Sequence, residues 1–209
     1  MSLDRPTDRV IAYIDGFNLY FGLRSKGWKY FYWLNLRAVV LNMLRPHQHL
    51  ALTKYFTSIV SQPADKRQRQ ALYLDALRTL PDFRIYFGHY LDETVTCRNC
   101  GQTHMAHHEK MTDVNIAIEL LVDAFEDSFD TALLFSADSD LVGPVKKVKA
   151  LFPNKRVVVV FPPDRQSAAL KYSATSVTYL GRNVLYKSVF PDRVTTVGGY
   201  VLVRPVSWR

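Results

Sequence analysis

Two short apolar runs, each closed by an aspartate, constrain the fold of this chain more than any other feature. Val10-Ile11-Ala12-Tyr13-Ile14 runs into Asp15. Ala132-Leu133-Leu134-Phe135-Ser136-Ala137 runs into Asp138, with Asp140 close behind. Runs of this length and composition read as strands buried on both faces, as in a parallel sheet. A carboxylate at the end of such a strand does not serve packing, because an unpaired buried charge is costly. In open α/β sheets the C-terminal strand edge is where ligands bind. Two neighbouring strands delivering three aspartates to one edge would make a site for a hard cation.

The rest of the chain alternates in the same way. Strands are predicted at Leu52–Val60, Phe83–Leu91, Thr131–Phe135, Arg156–Phe161 and Ser176–Leu180. Between and after them, helices are predicted at Leu34–Leu44, Gln62–Thr79, Thr112–Phe125, Ser139–Leu151 and Gln166–Tyr172. The clearest is Thr112–Phe125, where Ile116, Ile118, Leu120, Leu121, Val122 and Phe125 make a broad apolar face. The alternation implies a doubly wound, mostly parallel sheet, with right-handed crossovers placing helices on both faces. The polar stretch from Asp92 to His108 breaks the rhythm and reads as a β-hairpin or zinc-knuckle insertion. With 48% hydrophobic residues in 209, one large core is expected. The expected organisation is one domain over 1–181 and a C-terminal extension, 182–209, packed on it, with Tyr200–Val203 as an edge strand.

A formal net charge of +8 points to a polyanionic partner, nucleic acid first. No apolar stretch approaches the roughly 20 residues of a membrane span. The polar stretch Met1–Arg9 does not read as a signal peptide, and the only cysteines are Cys97 and Cys100. A cytoplasmic protein is expected.

Asp113 opens the amphipathic helix before the second aspartate-tipped strand. It can therefore reach the same edge as Asp15, Asp138 and Asp140. Mg²⁺ and Mn²⁺ prefer oxygen ligands, and a carboxylate cluster suits them. A metal held there can activate a water towards a phosphodiester and stabilise the leaving oxygen. Each aspartate also has an ordinary structural role open to it, as a helix cap or a turn residue. An aspartyl-phosphate reading is weak, because Asp15-Gly16-Phe17-Asn18-Leu19 lacks the second Asp and the Thr of D-x-D-x-T. Phosphate-loop and dinucleotide-binding glycine motifs are absent.

Three segments carry a family resemblance. Tyr13-Ile14-Asp15-Gly16-Phe17-Asn18-Leu19 resembles the hydrophobic-D-G-x-N opening of NYN domains. Glu109-Lys110-Met111-Thr112-Asp113-Val114 is similar to their EK-x-x-D-V helix start. Ser136-Ala137-Asp138-Ser139-Asp140-Leu141 matches their S-x-D-S-D segment. In order and spacing the chain resembles a LabA-like NYN protein of the PIN-like nuclease group, over roughly Arg9 to Leu180. The resemblance implies a three-layer α/β/α PIN-like (Rossmann-like) fold. It also implies a Mg²⁺- or Mn²⁺-dependent ribonuclease site carried by Asp15, Asp113, Asp138 and Asp140. Asn18 would hold the site or contact substrate, and Ser136 would hydrogen-bond behind the acidic residues.

Other residues keep two readings. Cys97 and Cys100 with His104 and His107 could bind structural Zn²⁺, though the spacing is tight; a reduced, metal-free turn fits as well. Lys110 is a candidate for substrate phosphate or for pairing with the carboxylates. Arg165 is a candidate phosphate clamp. Lys66, Arg67 and Arg69 form either a solvated helix face or an RNA patch. The aromatics from Trp28 to Trp33 serve the core or a homodimer contact, or stack single-stranded bases. The function expected is a metal-dependent endoribonuclease hydrolysing single-stranded RNA at a four-aspartate site. The alternatives are a non-catalytic RNA-binding or regulatory module and a metal-dependent phosphatase or 5′ nuclease.

Overall fold

A computed structural model describes residues 7–96 and 103–209, with backbone alone over 89–96 and 104–110. Its centre is a six-stranded parallel sheet. In chain order the strands are β1 (Asp8–Asp15), β2 (Gln48–Thr57), β3 (Phe83–Phe87), β6 (Thr131–Phe135), β7 (Arg156–Phe161) and β8 (Ser176–Tyr179). They lie in the order β3-β2-β1-β6-β7-β8. The chain winds outward from β1 through β2 to β3, then returns to the other side of β1 and winds outward again. The fold is the α/β PIN-like architecture.

Helices α1 (Gly16–Ser25), α2 (Leu36–Leu41) and α3 (Ala64–Arg78) cover one face. Helices α4 (Thr112–Phe125), α5 (Val142–Leu151) and α6 (Ala168–Ser173) cover the other. The strands sort their side chains by alternation, as a pleat with period two requires. Val10, Ala12 and Ile14 join the core under α1–α3, while Ile11 and Tyr13 join the core under α4–α6. The same split recurs in β6, with Leu133 and Phe135 on one side and Ala132 and Leu134 on the other. Two buried faces explain why these strands read as unbroken apolar runs.

Several elements depart from the sequence reading. Phe83–Leu91 is not one strand: β3 ends at Phe87, and β4 (His89–Thr96) begins a new antiparallel pair with β5 (Thr103–Lys110). The stretch 28–33 forms a 3-10 turn (Lys29–Tyr32), and Phe31 and Trp33 are fully buried. Those two aromatics are core residues. Tyr200–Val203 does not extend the main sheet. Its strand β10 (Val201–Val203) pairs with β9 (Arg193–Thr195) in a separate two-stranded sheet. After β8 the chain folds back through α7 (Arg182–Tyr186), burying Leu185, Phe190 and Val194 in the α1–α3 core.

Candidate active site at the C-terminal sheet edge

β1 and β6 are adjacent and parallel, and the winding direction reverses between them. That switch point opens a crevice at the C-terminal strand ends, where ligands of such sheets bind. Asp15 is the last residue of β1, and Asp138 lies three residues beyond β6. Asp113 stands in the first turn of α4, the helix that leads into β6.

One carboxylate oxygen from each of Asp113, Asp138 and Asp140 lies within 4.8 Å of the others. The three are half-buried or exposed, so they face solvent on one side. Two oxygens on one Mg²⁺ stand about 3–4 Å apart, given bonds of roughly 2.0–2.1 Å. The trio therefore needs a shift of less than about an ångström to share an ion. An all-oxygen, all-anionic donor set is the chemistry that Mg²⁺ and Mn²⁺ select.

Asp15 plays a different part. It is 2% exposed, and its oxygens are already committed. Oδ1 accepts from the Asn18 backbone N–H at 2.9 Å, capping α1. Oδ2 accepts from Asn18 Nδ2 at 2.7 Å and from the Ser136 hydroxyl at 2.9 Å. Burial pushes the Asp15 carboxyl above the usual range, and the nearby Asp138 charge adds to this. The Asn18 and Ser136 hydrogen bonds act against it. Asp15 is thus the anchor behind the trio, and it stands outside the group of three. The ordinary capping role and the site role coincide in it.

The same bonds hold the Asp138 loop. The Ser136 hydroxyl accepts from the Asp138 N–H at 3.0 Å, and Asn18 Oδ1 accepts from the Ala137 N–H at 3.2 Å. Asp138 Oδ1 in turn caps the next 3-10 turn by accepting from the Asp140 N–H at 3.0 Å. One Asp138 oxygen therefore orients the loop, and among the described residues no hydrogen bond engages the other. Ser136 and Asn18 link β1 to β6 across the switch point.

Gly16 makes the turn between Asp15 and α1 feasible. A Cβ there would stand 2.7 Å from both the Phe56 carbonyl and the Tyr55 hydroxyl. Only a residue without a side chain fits. Arg165, just beyond β7, lies over the Phe21 ring at 5.7 Å, and no carboxylate among the described residues pairs with it. Cys97 and Cys100 of the suggested zinc set, and the side chains of His104, His107 and Lys110, lie outside the described residues.

Two features have no counterpart in the sequence reading. Lys54, in the middle of β2, is 2% exposed and donates to Glu119 and Asp123 on α4 at 2.6 Å each. Tyr13 donates its hydroxyl to the same Asp123 oxygen at 2.5 Å. Beside Gly16, a cleft of about 650 Å³ runs between α1, α3 and the C-terminal Trp208.

The family model of the NYN domain matches residues 9–181. The chain belongs to the NYN domain family. NYN domains are PIN-like, which places this one in a nuclease family. A curated relative, 6-hydroxy-3-succinoylpyridine 3-monooxygenase HspA of Pseudomonas putida, is 25% identical over 246 aligned positions. The alignment covers 99% of this chain and 77% of that protein. The crystal structure of a Vibrio parahaemolyticus protein of unknown function superposes with a TM-score of 0.57 at 18% identity. It covers 91% of this chain and all of that one, and it supports the fold alone. Among the described residues, no helix is long and apolar enough to cross a membrane.

Proposed function

We propose that this NYN protein, of the LabA-like branch, is a cytoplasmic endoribonuclease that hydrolyses phosphodiester bonds of single-stranded RNA with Mg²⁺ or Mn²⁺. The observation that carries the reading is the convergence of Asp113, Asp138 and Asp140 within 4.8 Å at the switch point of a parallel sheet. Their carboxylates would hold the divalent cation. When bound, such an ion lowers the pKa of a water and stabilises charge on the leaving oxygen. Asp15 acts through Asn18 and Ser136, fixing the loop that carries Asp138 and adding negative charge behind it. Lys110 and Arg165 would take flanking phosphates, and the net charge of +8 favours a polyanion. Cys97, Cys100, His104 and His107 would hold a structural zinc, which elemental analysis of protein purified without chelators tests.

The deciding experiment incubates purified protein with mixed single-stranded RNAs and Mn²⁺. Wild type should cleave, and Asp138→Asn and Asp113→Asn should lose about a hundredfold or more of that rate, since charge stabilisation by a metal supplies several kcal/mol. Equal cleavage by wild type and Asp138→Asn would point to a contaminant. Salt-sensitive RNA binding without turnover would favour a non-catalytic RNA-binding module instead.

A second reading comes from the curated relative, whose name describes an oxygenase acting on a substituted pyridine. The aromatic-walled cleft beside Gly16 favours it. Oxygen uptake with 6-hydroxy-3-succinoylpyridine, without RNA cleavage, would replace the hydrolytic reading.

A further inference from the structure

The cleft beside the aspartates has a composition of its own. Gly16 and Phe17, which directly follow Asp15 in the chain, line it, so one end of the cleft lies beside the anchor of the acidic site. Tyr20, Phe21 and Tyr32 bring aromatic rings to its lining. Tyr20 packs against Tyr32 at 5.1 Å and Phe21 at 5.3 Å, and it stays 36% exposed, with Phe21 at 38%. Arg24, Lys29, Lys66 and Arg69 also line the cleft, and among the described residues no carboxylate does. Arg69 is paired with Asp65 outside it, whereas Arg24, Lys29 and Lys66 have no carboxylate partner among the described residues. Cations gathered without counter-charges, beside exposed ring faces, are complementary to a flat ring that carries an anion.

The C-terminus also lines the cleft, through Ser207 and Trp208. Trp208 meets Tyr32 at 5.8 Å and Tyr73 at 6.2 Å. It is held there by Arg204, which is 4% exposed. Arg204 donates to the Tyr30 carbonyl at 2.6 Å and to the Trp208 carbonyl, and lies 4.2 Å from the Tyr30 ring. Rings and cations outnumber the side-chain amides of the lining, which are Gln62 and Gln70. Gln70 spends its amide on the Val60 N–H and the Ser58 carbonyl.

We propose that this cleft is a nucleotide-stacking subsite for the stretch of single-stranded RNA next to the scissile phosphate. The bases would be held by Tyr20, Phe21, Tyr32 and Trp208, and the phosphates by Arg24, Lys29 and Lys66. The proposal rests on the hydrolytic reading of the aspartate site, which would take the phosphate adjoining this segment. A volume of about 650 Å³ falls within the roughly 300–1,000 Å³ of ligand sites. Because recognition runs through ring faces and charge, the subsite tolerates any base.

The test uses the full chain in an Asp138→Asn background, where bound RNA stays intact. The probes are a fluorescent oligouridylate of eight nucleotides and an abasic oligomer of the same length and charge. The abasic probe should bind at least tenfold more weakly. Tyr20→Ala and Trp208→Ala should each weaken the uridylate by about 5- to 100-fold, the range for loss of one stacking partner, and leave the abasic probe nearly unchanged. Arg24→Gln and Lys66→Gln should each lower the salt slope by about 0.7. Tyr20→Leu, which keeps packing but removes the ring face, guards against misfolding and should behave as Tyr20→Ala does. Equal affinity for the two probes, or cleft variants that bind as the parent does, overturns the subsite. So does saturable binding of 6-hydroxy-3-succinoylpyridine with none of the oligonucleotide. Wild-type protein that cleaves RNA with no dependence on the cleft refutes this inference alone. Base-dependent binding by a wild type that never cleaves refutes the hydrolytic reading alone.

Discussion

Replacing Lys54 by methionine is expected to remove about 3–5 kcal/mol of folding stability, the cost of breaking a buried ion pair by deleting one partner. Lys54 bridges β2 to α4, with its side chain 3% exposed and its two carboxylates each at 2.6 Å. Burial lowers the Lys54 pKa, but the hydrogen bonds to Asp123 and Glu119 outweigh it, so the group stands above the ordinary lysine value. Glu119, at 26% exposure, can turn to water once the lysine is gone. Asp123, at 9%, cannot. Among the described residues, it would remain a buried anion supported by the Tyr13 hydroxyl alone. A triple variant, Lys54→Met with Asp123→Leu and Tyr13→Phe, removes that charge and the orphaned donor together. It should return to within about 1–2 kcal/mol of wild type, because a buried ion network is often replaceable by apolar groups of similar volume. Urea unfolding at pH 7.5, followed by circular dichroism, measures both. The functional consequence runs through α4, whose first turn carries Asp113. A misplacement of about 1 Å at a reacting group can cost roughly a hundredfold in rate, so Lys54→Met should also depress RNA cleavage. A loss below about 1 kcal/mol in the single variant, or a triple variant no better than the single, would refute the buried-network argument.

Gly16→Ala should cost about 1–3 kcal/mol, the usual range for overpacking, because the new methyl meets the Phe56 carbonyl and Tyr55 hydroxyl at 2.7 Å; differential scanning calorimetry reads it. Ser136→Ala leaves Asp15 with one donor fewer and the Asp138 N–H without its acceptor. A loss of about 1–3 kcal/mol is expected by urea unfolding, together with slower RNA cleavage. Alkaline pH should unfold the protein. Burial pushes Tyr55 up to about 12 and raises Tyr13 and Tyr73 well above the ordinary phenol value. The unfolded chain releases these protons near pH 10, so the stability they contribute is present below pH 10 and is lost as pH rises through the folded values. Tyr55 alone accounts for about 2–3 kcal/mol over that window. Lys54, also raised, acts in the same direction. Phenolate absorbance at 295 nm from these residues should appear together with loss of circular dichroism, and its appearance in folded protein near pH 10 would count against their burial.

How much of this was readable in advance depended on whether the determining contacts are local. Thr112–Phe125 and Thr131–Phe135 have the predicted bounds, because a 3.6-residue apolar face and a fully buried run are written in consecutive residues. Asp15, Asp138 and Asp140 could be placed at the sheet edge because they terminate such runs. Lys54 could not be read in this way. Within Thr53-Lys54-Tyr55 it looks like a solvent-facing strand residue, and its partners lie 65 and 69 positions away. Of the rings in the stretch 28–33, Phe31 and Tyr32 line the cleft, whereas Trp33 is buried in the core. Another part of the lining arrives from the other end of the chain, where Arg204 ties the Trp208 carbonyl to that of Tyr30, 174 positions before Arg204.

By itself, the sequence determined the alternating α/β architecture, the NYN family and the carboxylates that face the strand-end crevice, since periodicity, motif order and strand termini are properties of neighbouring residues. Only the tertiary structure decided their division of labour. Three aspartates face one another at a partly exposed edge, while Asp15 is sealed behind them by Asn18 and Ser136. That division follows from which strands lie side by side and how deeply each carboxylate is buried, and desolvation is a property of the packed molecule, not of the run of residues that ends in it.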